Sequence, residues 1–201
     1  MSETPLPKAT APGAFIADPA PLGLGAFALT TFVLSVINTD MVKAEPAVFG
    51  LALAYGGIAQ FAAGMWEFAK GNTFGATAFT SFGAFWISFW YLTGHTDMSG
   101  VKPDDAANGV GLYLLAWGIF TAYMTVAAIR TSGAVLAVFV ALTLTFLFLA
   151  LGDLTTTSGL TKVGGWLGLL TAIFAWYASF AAVTNETWRR TVLPVFPLSG
   201  R

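Results

Sequence analysis

Cysteine is absent from this chain of 201 residues, and histidine occurs once, at His95. Disulfides, thiolate metal sites and cysteine nucleophiles are therefore excluded. One histidine cannot supply the paired axial ligands of a membrane haem carrier. The sequence predicts neither a metal nor a cofactor, and an enzyme is the least expected class of protein.

Charge is also scarce. Lys, Arg, Asp and Glu make up 9% of the residues, against about 25% in soluble domains. Hydrophobic residues make up 56%, and the mean hydropathy is +0.74. A soluble fold of this length cannot bury so much apolar surface, so we expect a membrane protein. The net charge of −1 gives no reason to expect nucleic acid as a partner.

The apolar residues are grouped into six stretches, each near the length of about 20 residues that a helix needs to cross a bilayer. They run over Pro21–Ile37, Pro46–Phe68, Phe74–Leu92, Gly109–Ile129, Gly133–Leu151 and Val163–Val183. Strands of a membrane barrel are shorter and alternate in polarity. We therefore expect an all-α integral membrane protein, with a six-helix transmembrane domain over residues 18–185.

The two tails are predicted to lie in the cytoplasm. Residues 1–17 have one lysine and three prolines and are typical of a disordered extension rather than a signal peptide; residues 186–201 form the second tail. An even number of spans places both tails on one side. That side has six cations, against three in the opposite loops, and positive charge is typical of the cytoplasmic side. A multi-pass protein of the plasma (inner) membrane is expected.

Acidic residues occur near the ends of the stretches but not at their centres. This pattern argues against a retinal protein, which needs a mid-span lysine, and against a buried carboxylate relay. We expect Glu67 to lie at the membrane surface, paired with Lys70 one turn later. We expect Asp153 to be a solvated loop residue.

Some mid-span side chains are weakly polar. Gln60 is the most polar of them, and a lone glutamine joins helices as often as it contacts a substrate. The hydroxyls of Thr30 and Thr80 can bond to their own helix. Gly56 and Gly64, eight residues apart, are expected to share one face where helices approach closely.

The segment Asp18-Pro19-Ala20-Pro21 stands where the first apolar stretch begins. Asp is a favoured N-cap, and proline is favoured in the first helical turn. The segment therefore predicts a helix start. The free amides of such a start attract an anion, although the charge of Asp18 opposes one.

Four motifs make the chain recognisable. The segment Asp-Pro-Ala-Pro-Leu-Gly-Leu at 18–24 resembles the Asn-Pro-Ala-Pro-Leu-Gly-Leu signature of the acetate uptake transporter family. Three more stretches resemble motifs of that family, at 55–60, 71–81 and 185–194. The likeness extends from Asp18 to Val195, and the motifs occur in order at matching spacing.

This resemblance implies six transmembrane helices per protomer, a homohexamer, and a path for acetate, and in some members succinate, through each protomer. It also implies an apolar constriction, whose three residues correspond to Phe27, Phe82 and Leu142. The remaining candidates for contact with substrate along the path are Asp18, Pro21, Thr30, Gln60, Asn72, Thr80 and Asp153.

The chain departs from the family pattern at three of these positions. Asp18 replaces the motif asparagine, Phe82 replaces the tyrosine of the constriction, and Asp153 stands where relatives often have asparagine. The rate, the pH response and the preferred substrate are therefore open.

Several functions remain open at this point. A constriction of this kind favours a protonated acid, and the missing carboxylate relay favours a channel-like path over proton coupling. One alternative is a channel for ammonia or another small neutral solute. Another is a membrane sensor or structural subunit that binds acetate without moving it.

Overall fold

The computed structural model describes residues 15–198, so most of the predicted N-terminal tail lies outside the described residues. These residues form six long helices. They are α1 (Ala20–Asn38), α2 (Pro46–Lys70), α3 (Thr73–Gly94), α4 (Pro103–Ala128), α5 (Gly133–Leu154) and α6 (Ser158–Trp188). The helical architecture agrees with the sequence-based expectation.

Five of these helices are long and apolar enough to cross a membrane, and α3 is the exception. The 22 residues of α3 contain no charge, but they include three glycines, several hydroxyls, two tryptophans and a tyrosine, which lower its hydropathy. Its apolar side chains are largely covered by other helices, among them Phe82, Phe85 and Trp86. The helix is therefore an interior element of the bundle.

The helices extend beyond the apolar stretches that were used to predict them. The loop predicted over residues 93–108 is shorter, because α4 begins at Pro103 with Asp104 and Asp105 in its first turn. Proline and acidic side chains both favour that position. The loop predicted before α6 is reduced in the same way, to residues 155–157. Hydropathy identifies the apolar part of a helix, whereas capping residues determine where the helix begins and ends.

The helices follow one another around the bundle, and α6 closes the ring by packing against α1. The backbones of α3 and α4 are neighbours that make few close approaches. Aromatic rings fill the space between them: Phe85 stacks on Tyr113 at 5.8 Å, and Phe82 meets Phe120 edge-on at 5.4 Å. Large side chains, rather than small ones, therefore set the spacing on this side of the bundle.

Small residues, in contrast, set the spacing between α2 and its neighbours. A π-helical segment at Ala54–Ala59 interrupts α2. A Cβ atom on Gly56 would meet Thr30 of α1, whereas one on Gly64 would meet Thr80 of α3. The expectation that these glycines share one face is therefore wrong. They let two different helices approach, because the wider π turn shifts the register between them.

Gly64→Ala is expected to destabilise the bundle by about 1–3 kcal/mol, because its methyl group would force α2 and α3 apart. A Cβ at this position would clash with the backbone nitrogen of Thr80, which cannot move aside alone. Thermal unfolding in detergent measures the effect as a lower Tm. Gly50→Ala in the same helix is the control, since nothing lies within 4 Å of its Cβ position. Equal Tm values for the two variants would contradict the close approach.

The segment after α6 folds back across the start of α5. The amide of Gly133 donates to the carbonyl of Phe196 at 2.7 Å, and the amide of Leu198 donates to the carbonyl of Thr131 at 3.1 Å. Asn185 holds the turn in place, because its Oδ1 accepts the amides of Val192 and Leu193. Residues beyond the last helix therefore cap the first turn of α5.

Candidate transport path

Three cavities follow one another between the helices of the bundle. The first has a volume of about 310 Å³ and lies where α1 begins. Its lining is mainly apolar, with polar groups from Asn72 and Thr131. Asn72 is the N-cap of α3, and its Oδ1 accepts the amide of Gly75 at 3.1 Å. The start of α3 therefore forms part of the wall.

The second cavity is deeper and has a volume of about 20 Å³, close to the space that one water molecule occupies. It shares four lining residues with the first cavity: Leu24, Ala78, Phe79 and Phe139. Its polar group comes from Gln60, which is 1% exposed. The Oε1 atom of Gln60 has no hydrogen-bond partner among residues 15–198. This acceptor therefore lies beside the cavity without a partner.

The third cavity has a volume of about 170 Å³ and lies towards the end of the bundle where α1, α3 and α5 finish. Most of its wall is apolar or aromatic. Thr31 and Trp86 contribute buried polar groups, Oγ1 and Nε1, that find no hydrogen-bond partner within the described part of the chain. Buried donors without partners are uncommon, and both suit a carboxylate.

Apolar side chains separate the second cavity from the third. Phe27 and Leu142 line both cavities, and Phe82 lines the second. The rings of Phe27 and Phe82 lie 5.7 Å apart, and all three residues are at most 4% exposed. Moving a carboxylate from water to this point, without a hydrogen-bond partner, would cost several kcal/mol.

The mouth of the third cavity has acidic residues. Glu45 and Asp153 line it, and no lysine or arginine is among its lining residues. Asp153 lies in the last turn of α5 and is half-buried, so the expectation of a solvated loop residue is wrong. The helix continues past Gly152 to Leu154 and thereby turns Asp153 towards the cavity. The charged side chains that line this mouth are therefore both acidic.

An ion pair beside this mouth joins α1 to α6. Lys162 donates to Asp40 at 3.0 Å, and Lys43 lies 3.4 Å from the same carboxylate. Lys162, with help from Lys43, holds the pKa of Asp40 below its usual value. Both lysines therefore point at Asp40, outside the cavity, and an exposed pair of this kind adds little stability.

Of the expected path residues, Phe27, Phe82, Leu142, Gln60, Asn72 and Asp153 line the three cavities. Thr30 and Thr80 line none of them. They face α2 instead, because Gly56 and Gly64 leave room for their side chains, and Thr30 donates to the carbonyl of Ala26. The hydroxyls of these two threonines therefore lie between helices.

Asp18 and Pro21 lie on the other side of α1, in an open groove beside α2 and α6. Asp18 is not the N-cap, which is Pro19, although its Oδ1 accepts the amide of Ala20 at 3.1 Å. The same oxygen is 2.7 Å from the ammonium of Lys70. This pair balances the negative charge of Asp18 at the start of α1.

The Asp18–Lys70 pair also shows that the expected pairing of Glu67 with Lys70 is wrong. Lys70 bonds to Asp18 and not to Glu67, and Glu67 is 0% exposed rather than at a surface. Glu67 is covered because α3 begins directly beside it: a Cβ on Gly75 would lie 2.9 Å from the Glu67 carboxyl carbon. A buried carboxyl group is therefore present in α2.

Thr31 and Trp86 were missed as candidate site residues, since Thr31 resembles many other hydroxyls and Trp86 resembles core packing. A signal for both was present in their spacing. Thr31 follows Phe27 by four residues, and Trp86 follows Phe82 by four. Residues at that spacing share a helix face, so both lie one turn beyond the constriction.

The apolar helices of membrane length, with a series of cavities between them, define a multi-pass membrane protein. The chain belongs to the GPR1/FUN34/yaaH family, whose model matches residues 3–200. This membership confirms the resemblance drawn from the four motifs.

Individual relatives include transport proteins. The chain is 42% identical to the "Ammonia transport outward protein 2" of Saccharomyces cerevisiae, over 89% of this chain and 65% of that protein. It is 38% identical to the "Succinate-acetate/proton symporter SatP" of Escherichia coli, over 90% of this chain and 95% of that protein. The chain thus spans about two thirds of the length of the yeast relative and nearly all of the bacterial one.

A solved structure has the same fold. It is described as the bacterial acetate channel SatP, and it superposes with a TM-score of 0.83 at 37% identity, over 90% of this chain and 99% of that one. The arrangement of the helices is therefore shared with a membrane channel.

Proposed function

We propose that this protein moves acetate and other small monocarboxylates across a membrane, along the three cavities and past Phe27, Phe82 and Leu142. The observation that carries the proposal is that Phe27 and Leu142 border both the second and the third cavity. A substrate that passes from one cavity to the other must displace them. The names of the bacterial relatives, an acetate channel and a succinate–acetate/proton symporter, support the choice of substrate.

The chemistry of the path favours a small acid with one carboxyl group. A methyl group tolerates the apolar constriction, whereas a carboxylate crosses it best after it has taken up a proton. Thr31 and Trp86 on one side and Gln60 on the other offer hydrogen bonds before and after that step. Glu45 and Asp153 repel a dianion at the mouth, so succinate is the poorer substrate.

The proposed setting follows the family and the sequence. Six helices span the membrane, with α3 as an interior span that its neighbours shield from lipid. Both tails face the cytoplasm of the cell, and the membrane is the plasma (inner) membrane. Six protomers assemble, each with its own path, as the family resemblance implies, and the apolar faces of α2, α4 and α6 are covered by lipid or by neighbouring protomers.

Uptake by proteoliposomes tests this function. Liposomes that contain the protein are expected to take up labelled acetate faster than empty liposomes, and labelled succinate at less than about a tenth of the acetate rate. The expected difference reflects the second charge that the mouth and constriction must accommodate. The measurement is the initial rate under imposed pH and voltage gradients. No uptake above empty liposomes under either gradient would sink the proposal.

A second candidate function is the passage of ammonia. The dry constriction admits a small neutral solute, and the yeast relative is named an ammonia transport protein. Competition in the same liposomes separates the two functions. Methylammonium that slows acetate uptake indicates a shared path, whereas methylammonium flux without acetate flux favours ammonia.

A further inference from the structure

Glu67 is a buried acid that the proposed path does not use. It lies in the last turn of α2, is 0% exposed, and neither carboxyl oxygen has a hydrogen-bond partner among residues 15–198. A buried carboxylate without partners costs many kcal/mol, so such a group takes up a proton instead. Burial therefore favours the neutral, protonated form of Glu67.

Few charges are near Glu67. The helices that pack against this end of α2, α1 and α3, contain no charged residue. The charged groups that act on Glu67 are Lys70, one turn later, and Asp18, just before α1. Lys70 is bonded to Asp18 at 2.7 Å. Lys70 is therefore close to two carboxyl groups, those of Asp18 and Glu67, and it is bonded to Asp18.

Glu67 is close to the proposed path. Its carboxyl group packs against the backbone of Gly75, where a Cβ would lie 3.1 Å from its Oε1 and 2.6 Å from Asn72 Nδ2. Gly75 and Asn72 both line the first cavity. A thin wall, formed by a glycine and an amide side chain, thus separates the buried acid from that cavity.

We propose that Glu67 takes up and releases a proton during transport, and that Lys70 exchanges between Asp18 and Glu67 as it does so. When Glu67 releases its proton to water in the first cavity, past Asn72, the new carboxylate attracts Lys70 away from Asp18. When a proton returns, Lys70 returns to Asp18 and fastens the start of α1 again. The charge state of Glu67 therefore regulates the entrance of the path. This inference rests on the proposed function, because it couples the proton to the same path.

Infrared difference spectra of the full-length protein, recorded between neutral and alkaline pH so that exposed carboxyl groups stay ionised, test the proton site without transport. The wild type is expected to show the carbonyl band of a protonated acid, which Glu67→Gln removes. Glu186→Gln is the control, since Glu186 lies at the same end of the bundle but is exposed. A band that persists in Glu67→Gln, or one that Glu186→Gln also removes, would overturn the assignment.

The cation exchange predicts opposite shifts in two further variants. Asp18→Asn frees Lys70 for Glu67, so the pH at which the band disappears moves down by about 1–3 units. Lys70→Met removes the cation, so that pH rises. Both variants retain Glu67, so they test the exchange even if Glu67→Gln does not fold. If neither variant moves the transition, the exchange is wrong.

Acetate uptake against pH completes the test. Protonation of the substrate affects every variant alike, so the quantity to compare is the ratio of the Glu67→Gln rate to the wild-type rate. This ratio is expected to change with pH across the range where Glu67 titrates, by at most about tenfold per pH unit for one proton. A constant ratio overturns this inference alone, whereas a wild type without any uptake overturns the proposed function, and the infrared bands still decide where the proton binds.

Discussion

Leu142→Ala is expected to raise the rate of lactate uptake relative to acetate by about tenfold. Leu142 borders both cavities at the constriction, so shortening it widens the passage. Lactate is bulkier than acetate and gains more from the added width, and an apolar contact of this size discriminates between substrates by about that factor. Initial uptake rates of the two labelled acids in proteoliposomes give the ratio.

The matched control is Leu144→Ala. Leu144 lies two residues away on the same helix, is 40% exposed, and lines none of the three cavities. It is therefore expected to leave the ratio unchanged. An unchanged ratio in a well-folded Leu142→Ala variant would show that the passage is narrowed elsewhere.

Trp86→Phe is expected to raise the KM for acetate by about tenfold or more. The Nε1 group of Trp86 is buried without a partner in a residue that lines the third cavity, and a hydrogen bond to a charged group contributes about 1.5–3 kcal/mol. Phenylalanine keeps most of the ring but removes this donor. The measurement is the concentration dependence of acetate uptake.

Trp90→Phe, one turn further along α3, is the control for this loss. Trp90 does not line the third cavity, and its ring packs on His95 at 4.1 Å. A KM that rises equally in both variants would indicate a general disturbance of α3. A KM that stays constant in Trp86→Phe would remove this donor from the binding of acetate.

The sequence predicted the membrane setting and the helical framework because both depend on composition along the chain. The apolar stretch Pro21–Ile37 differs from α1 by one residue at each end. The prediction is poorer for α6, which extends five residues beyond the stretch Val163–Val183 at each end. The first and last turns of α6, at Ser158 and Trp188, are polar, so the hydropathy of the sequence does not mark them as part of the helix.

The candidate site was predicted in part. The motif resemblance led to Phe27, Phe82 and Leu142, which lie together although they come from three helices. Thr30 and Thr80 were equally plausible from their polarity, but they face glycines of α2. Which side of a helix faces a cavity depends on packing between helices, and a uniformly apolar helix carries little periodic signal for it.

The burial of Glu67 could not be predicted for a related reason. Its position near the end of an apolar stretch is typical of a residue at the membrane surface, and Lys70 at the favoured spacing supports that interpretation. The deciding contacts come from other segments, because Gly75 admits the carboxyl group and Asp18 takes the lysine.

The segment that folds back after α6 has a consequence for biosynthesis. The amides of Gly133 and Ala134 at the start of α5 are satisfied by the carbonyls of Phe196 and Val195. These partners are translated only after all six helices. The start of α5, and with it the wall of the first cavity at Thr131 and Val135, is therefore completed after the last helix has left the ribosome. Until then, an inserted chain has an unfinished entrance.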